Sequence, residues 1–265
     1  MSKRSGVKKS STGNSVEEVK TIGLEDKESV SNISKGDFLL VDFIGRVKET
    51  NELFDVTVES VAKAEKVYSD KIVYKPRLVI AGEGWVIKGL DEEILKLKIP
   101  DEKTFELPPE KAFGERDPKA IKVMPLREFK KQNIKPYPGM RLRVGSVSAT
   151  VKNVSSGRVT LDFNSPLAGK TILYTVITRK KLVDLADKVK ALVQWRLEDV
   201  NVDEINVIVK NGEVSVELPA SQYFKDGIQY SKKGISKDIY KYIPSISRVS
   251  FIEHYLPELG ETSSS

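Results

Sequence analysis

The chain has 265 residues, a formal net charge of +6, no cysteine and a single histidine, His254. These figures exclude disulfides, zinc fingers, cysteine nucleophiles and Cys/His metal clusters. A Ser-His-Asp triad would have to rest on His254, which lies near the end of a strand pattern with no supporting serine motif.

In chain order, "MSKRSGVKKSSTGNS" opens a basic stretch, residues 1–30, without the apolar core of a secretory signal. It reads as a disordered tail, as do residues 258–265 with "ETSSS". No apolar run reaches the ~18 residues of a membrane span, so no membrane partner is expected and the expected location is the cytoplasm. No GxxxxGK[ST] phosphate loop occurs, and Gly82-Glu83-Gly84 lacks the helix entry of a dinucleotide fingerprint. Neither a metal nor a cofactor is expected.

"KGDFLLVDFIGRV" (35–47) alternates as a strand should, with Phe38, Leu40, Asp42 and Ile44 on one face and Leu39, Val41 and Phe43 on the other. Gly45 should break it. "ELFDVT" follows, and residues 61–74 carry no clean period. "KPRLVIAGEGWVIKG" reads as a strand, a glycine turn and an apolar knuckle, Trp85-Val86-Ile87. Leu90, Ile94 and Leu97 then form a helical stripe, with Asp91 and Glu92 near its start, where the helix dipole favours acids, and Pro100 beyond its end. "EKTFELPPEKAFGERDP" is a strand followed by a loop.

Residues 118–163 read as a unit inserted between two halves of a larger domain. Three alternating segments, "YPGMRLRV", "SATVKNV" and "GRVTLDF", are separated by turn residues, and "MPLREF" is a short turn or helix. So small a unit buries little core alone, and should lean on its parent or be mobile. It holds ten Lys and Arg against two acids, Glu128 and Asp162, a balance of +8. Such a segment can meet nucleic acid or an acidic partner, or be a solvated small domain. Few stacking aromatics, Phe129 and Tyr137, and no RNA-binding signature argue against nucleic acid. In "DFNSPLAGKTILYTVIT" a stiff turn then precedes an alternating strand carrying Ile172, Tyr174 and Val176.

The last third, 182–257, reads as a compact α-β-β-α-β domain. Leu182, Leu185, Ala186, Val189, Leu192 and Val193 make one helical stripe. Asn211-Gly212 between alternating runs is a two-residue hairpin signal. A second helix carries Ile235, Ile239, Tyr242 and Ile243 and stops at Pro244, and "SRVSFIEHYL" closes as a strand. Trp195 falls off the first helix's stripe, packed either by a neighbouring loop or by another subunit. An exposed strand edge here could pair with a copy of itself, giving a homodimer.

The segments "VDFIGRV…LFD", "GEGWVIKGLDEEIL", "ELPPEKAFGERDP" and "VTLDFNSPLAGKTILYTV", in this order, resemble the FKBP-type peptidyl-prolyl isomerases over roughly residues 35 to 180. The flanks "AFGERDP" and "DFNSPLAGK" resemble in particular the SlyD-like and archaeal long-type branch with an insert-in-flap domain. The resemblance implies an α+β fold: a bent antiparallel sheet around a short helix (31–117 and 164–181), a β-rich insert (118–163) and the C-terminal domain. It implies catalytic positions at Asp55, Ile87, Phe113 and Tyr174, and substrate-binding positions at Phe43, Phe54, Val86, Leu90, Leu167 and Ile172. Phe43, Leu90, Phe113 and Ser165 depart from the family's common choices, and Phe113 lacks the hydroxyl that could hold a substrate carbonyl.

The implied activity is cis–trans isomerisation of X–Pro bonds in unfolded or nascent polypeptides, with the Ile87 N–H as a donor to the substrate backbone. Holdase-type chaperone activity would come from the insert, whose apolar candidates are Ile121, Val123, Met124, Leu126, Phe129, Ile134, Tyr137, Met140 and Leu142. The departures at Phe43, Leu90 and Phe113 leave open a non-catalytic chaperone or interaction module.

Overall fold

Alternation along one long strand sends its apolar residues into two different cores. The structure, a computed structural model, describes residues 31–255, so the tails expected at 1–30 and 258–265 lie outside the described residues. β1 (Ser31–Asn32) leads into β2 (Phe38–Val47), in which Leu39, Val41 and Phe43 enter one core while Phe38 and Leu40 join the other. β3 (Leu53–Val56) follows, then α1 (Glu59–Ala64). Only Ala62 of that helix is buried, which explains why no period is visible there. β4 (Arg77–Ile80), α2 (Lys88–Ile94), β5 (Lys98–Ile99) and β6 (Asp101–Leu107) complete the first part. α2 ends before Leu97, which still reaches the core from the turn that follows.

The insert comprises β7 (Ile121–Pro125), α3 (Leu126–Lys131), β8 (Arg141–Val144), β9 (Val147–Ser155) and β10 (Arg158–Asp162), in the sheet order β7-β10-β9-β8. β7 has no alternating burial, so the sequence carries no strand signal for it. Phe129, Ala149, Val151, Val159 and Leu161 form a small core. The chain returns as β11 (Ile172–Leu182), which runs antiparallel along all of β2, with β6 on its far side. β3 and β4 pair with opposite ends of β2 on its other edge.

Gly45 does not end β2. The strand runs on to Val47, with a register shift against β3 at Gly45/Arg46. A Cβ at Gly45 would lie 2.8 Å from the Phe54 ring and 3.0 Å from the Tyr174 ring. The glycine is there for close approach rather than for a turn.

After β11 come α4 (Leu185–Arg196), β12 (Asn206–Lys210), β13 (Glu213–Glu217), α5 (Ile228–Tyr242) and β14 (Arg248–Ile252). Asp184 caps α4, accepting from the Ala186 and Asp187 amides at 2.8 and 3.2 Å. β12 and β13 form the hairpin around Asn211-Gly212, and β14 adds parallel to β13. This domain has no separate core. Val189 and Leu192 of α4 and Ile235 and Ile239 of α5 share one cluster with Phe38, Leu78 and Ile80 of the first sheet. That sheet is covered by α2 on one face and by the C-terminal domain on the other.

Candidate active site

The knuckle before α2 is held by a buried carboxylate. Asp91 accepts from the Gly82 and Gly84 amides, each at 2.9 Å, and Gly84 takes the left-handed conformation with φ +72°. Asp91 therefore anchors the loop as well as sitting in the first turn of α2. The Ile87 carbonyl accepts from the Leu90 and Asp91 amides, while its N–H meets no protein acceptor among the described residues.

Three aromatic contacts build the adjoining wall. Phe54 meets Phe113 and Tyr174 edge to face, with centroids 5.8 and 5.5 Å apart, and Phe43 meets Tyr174 at 6.0 Å. Register explains the convergence: Gly45 pairs with Tyr174 on β11 and with Asp55 on β3. Across it the Tyr174 hydroxyl donates to Asp55 Oδ2 at 3.0 Å. Arg77 donates in a fork to both Asp55 oxygens, at 2.8 and 3.1 Å. Burial first, and the Asp55 carboxylate second, push the Tyr174 phenol far above its ordinary range, so it stays protonated.

These residues surround a mainly apolar hollow of about 400 Å³. Of the positions implied by the resemblance, Phe43, Asp55, Val86, Ile87, Leu90, Phe113 and Tyr174 face it. Phe54 stands behind the wall, braced against Phe113 and Tyr174. Ile172 and Leu167 lie apart from the hollow. Ile172 is fully buried between β2 and β6, and Leu167 packs half-buried on the same core, with neither reaching the hollow. Arg77, Trp85 and Trp195 line it and were not singled out as site residues. The place of Trp85 beside Val86-Ile87 was a usable signal for it; Trp195 showed only that it lies off the stripe of its helix, with nothing in its own neighbourhood to name Trp85 as its partner.

The insert candidates separate by burial. Phe129 belongs to the insert's own small core, and Met124, Leu126, Ile134, Met140 and Leu142 pack partly buried around it. Ile121, Val123 and Tyr137 are exposed. Asn164 stitches the two flanks of the insert, accepting from the Asp117 amide and donating to the Asp117 carbonyl, both at 2.9 Å.

The ionisable groups of the hollow, Asp55, Arg77 and Tyr174, bind one another, so no nucleophile and base stand ready to exchange a proton. Such a wall suits a reaction limited by bond rotation. The X–Pro amide resists rotation by ~18–20 kcal/mol because resonance stiffens its C–N bond. The twisted amide has lost that resonance and its carbonyl is less polar. A mainly apolar hollow therefore favours the twisted form over the planar one.

Comparison with known proteins points the same way. Residues 30–130 match the family model for FKBP-type peptidyl-prolyl cis-trans isomerases, 122–167 that for the FKBP26 IF domain, and 185–256 that for the FKBP26 C-terminal region. The chain is 35% identical over 150 residues to the short-type peptidyl-prolyl cis-trans isomerase of Methanocaldococcus jannaschii, spanning 57% of this chain and 94% of that protein. It is 30% identical over 106 residues to the FKBP-type 16 kDa peptidyl-prolyl cis-trans isomerase of Escherichia coli strain K12, spanning 38% of this chain and 71% of that protein. The isomerase SlyD of Helicobacter pylori is 29% identical over 113 residues, 41% of this chain and 60% of that protein. With an apolar hollow at the junction of β2, β3, β11 and α2, and a 35% identical isomerase matched over 94% of its length, the chain belongs to the FKBP-type peptidyl-prolyl cis-trans isomerases.

Proposed function

We propose that the isomerase hollow and the basic insert act together on unfolded polypeptide, the insert holding a segment while the hollow turns its prolyl bonds. The observation that carries this is the exposure of Ile121, Val123 and Tyr137 on a unit that already has its own core. Ile121 and Val123 also lie on β7, an edge of the insert sheet, where an extended chain can add. Holding the client nearby raises the local concentration of its prolyl bonds, to about millimolar for short flexible connections.

Within the hollow, Phe43, Val86, Leu90 and Phe113 bind the prolyl segment and the Ile87 N–H donates to the substrate backbone. Asp55, with both oxygens engaged by Tyr174 and Arg77, is a positioning residue that fixes the wall. The sites of action are the cytoplasm and its unfolded chains; among the described residues no helix is long and apolar enough to cross a membrane. Homodimerisation through the C-terminal domain would use edge strand β12, where Ile208 is exposed, and sedimentation of the full-length chain checks it.

The test compares the wild type with Ile121→Ser/Val123→Ser/Tyr137→Ser and with a deletion of 118–163. Isomerisation of a short peptide should survive in both, while proline-limited refolding of a protein and suppression of its aggregation should fall. Equal performance on the protein substrate would refute the cooperation. A gel shift at low salt should stay flat, since binding through the +8 insert alone would be steeply salt-dependent.

A further inference from the structure

Trp195 belongs to the C-terminal domain, yet it lines the same hollow as Ile87, Leu90, Phe113 and Tyr174. Its ring lies 4.9 Å from that of Trp85, and Trp85 in turn meets Tyr242 of α5 at 5.6 Å. The knuckle indole is thus gripped by two aromatics of the appended domain. The packing demand of α4 is met by Val189, Ala191, Leu192 and Val193, whereas Trp195 keeps 42% of its surface open.

We infer that Trp195 is a specificity-determining residue of the isomerase site, receiving the side chain that flanks the prolyl bond and favouring aromatic or long aliphatic ones. A hollow of about 400 Å³ falls in the range of ~300–1,000 Å³ that accommodates drug-sized ligands, so a pyrrolidine ring leaves room beside it. The rim that would take the neighbouring side chain is indole on indole, rigid and apolar with a polar edge, the kind of surface that dominates binding hot spots. Its position is fixed. Arg196 forks onto Asp238 at 2.7 and 3.0 Å, tying the end of α4 to α5, and the domain shares its core with Phe38, Leu78 and Ile80. The C-terminal domain is in this sense part of the catalytic unit.

The inference rests on the isomerase reading, and its test separates the two. Full-length wild type, Trp195→Ala and Trp195→Phe are assayed on two sets of short proline peptides. One set carries Ala, Leu or Phe before the proline, the other carries them after it. In at least one set, Trp195→Ala should lower kcat/KM for the Leu and Phe peptides about three- to tenfold, the range of a lost aromatic contact. The loss should lie in KM, with the Ala peptide unchanged and Trp195→Phe close to wild type. A second readout uses the two tryptophans of the chain: in Trp85→Phe, the emission of Trp195 should shift when a Phe-Pro peptide is titrated in.

A loss equal across all peptides marks a structural role and overturns the inference, as does no loss in either set or an unresponsive Trp195 emission. A wild type that accelerates no peptide overturns the isomerase reading itself, and this inference with it.

Discussion

Tyr174 and Asp55 meet at 3.0 Å across Gly45, the one residue that both face in register and the only one there without a side chain. A methyl at Gly45 would press into the Phe54 and Tyr174 rings together. Neither ring can yield without disturbing Phe113 or Phe43. Gly45→Ala should therefore cost about 1–3 kcal/mol of stability, as overpacking does, and reduce isomerase kcat/KM at temperatures where the protein is still folded. Thermal melting and a peptide assay run side by side check both, and full activity with an unchanged melting temperature would refute the account of this glycine.

Much of this architecture was legible because its signals are local. The alternation of 38–47, the Asn211-Gly212 hairpin and the stripe Val189-Leu192-Val193 each declare themselves within about ten residues. What escaped depends on which partner lies opposite. Ile172 and Tyr174 share an inward face of β11, but only Tyr174 pairs with Gly45 beside the hollow, and periodicity cannot rank the two. Asp91 looked like a dipole-favoured acid, and its grip on Gly82 and Gly84 appears only once the loop is folded back. Trp195 was readable as an off-stripe aromatic. That it packs on Trp85, 110 positions earlier, is a consequence of the shared core.

Leu90 and Phe113 make a contrasting pair for mutation. Leu90 is almost fully buried under the hollow, so Leu90→Ala should cost about 2–5 kcal/mol as well as activity. Phe113 is half-buried at the wall, and Phe113→Ala should remove most of the acceleration of proline-limited refolding at a smaller cost in melting temperature. If Phe113→Ala retained wild-type acceleration, the wall assigned here would be the wrong one.

Catalysis should be nearly independent of pH around neutrality. The folded-state pKa of Tyr174 is raised, so its hydrogen bond to Asp55 is fully present below the ordinary phenol pKa of about 10 and is lost only as pH rises through the higher folded value. His254 lines no part of the hollow. Between pH 6 and 9, kcat/KM should vary by less than about twofold, without the bell shape of acid–base catalysis. A sigmoidal or bell-shaped profile in that window would mean that a proton does move.

The junction of the insert should have its own acid limit. Burial opposes the charge on Asp162, but the side-chain and backbone amides of Asn164, with Arg116 and Lys152, outweigh it and hold the carboxyl below its usual range. A depressed folded pKa means that the stabilisation is complete above the ordinary value of about 3.9 and disappears as pH falls through the folded one. The insert should thus stay anchored at pH 5–7 and loosen in stronger acid, seen as faster amide exchange in β7 and β10 before the sheet of β2 and β11 opens. Asn164→Ala removes the side-chain amide bond to Asp162 and both bonds to Asp117. The backbone amide at residue 164, Arg116 and Lys152 survive the change, so the loosening should shift to higher pH without vanishing. An exchange profile in Asn164→Ala identical to wild type at every pH would show that the anchor lies elsewhere, leaving the Arg116–Asp162 pair as the next group to remove.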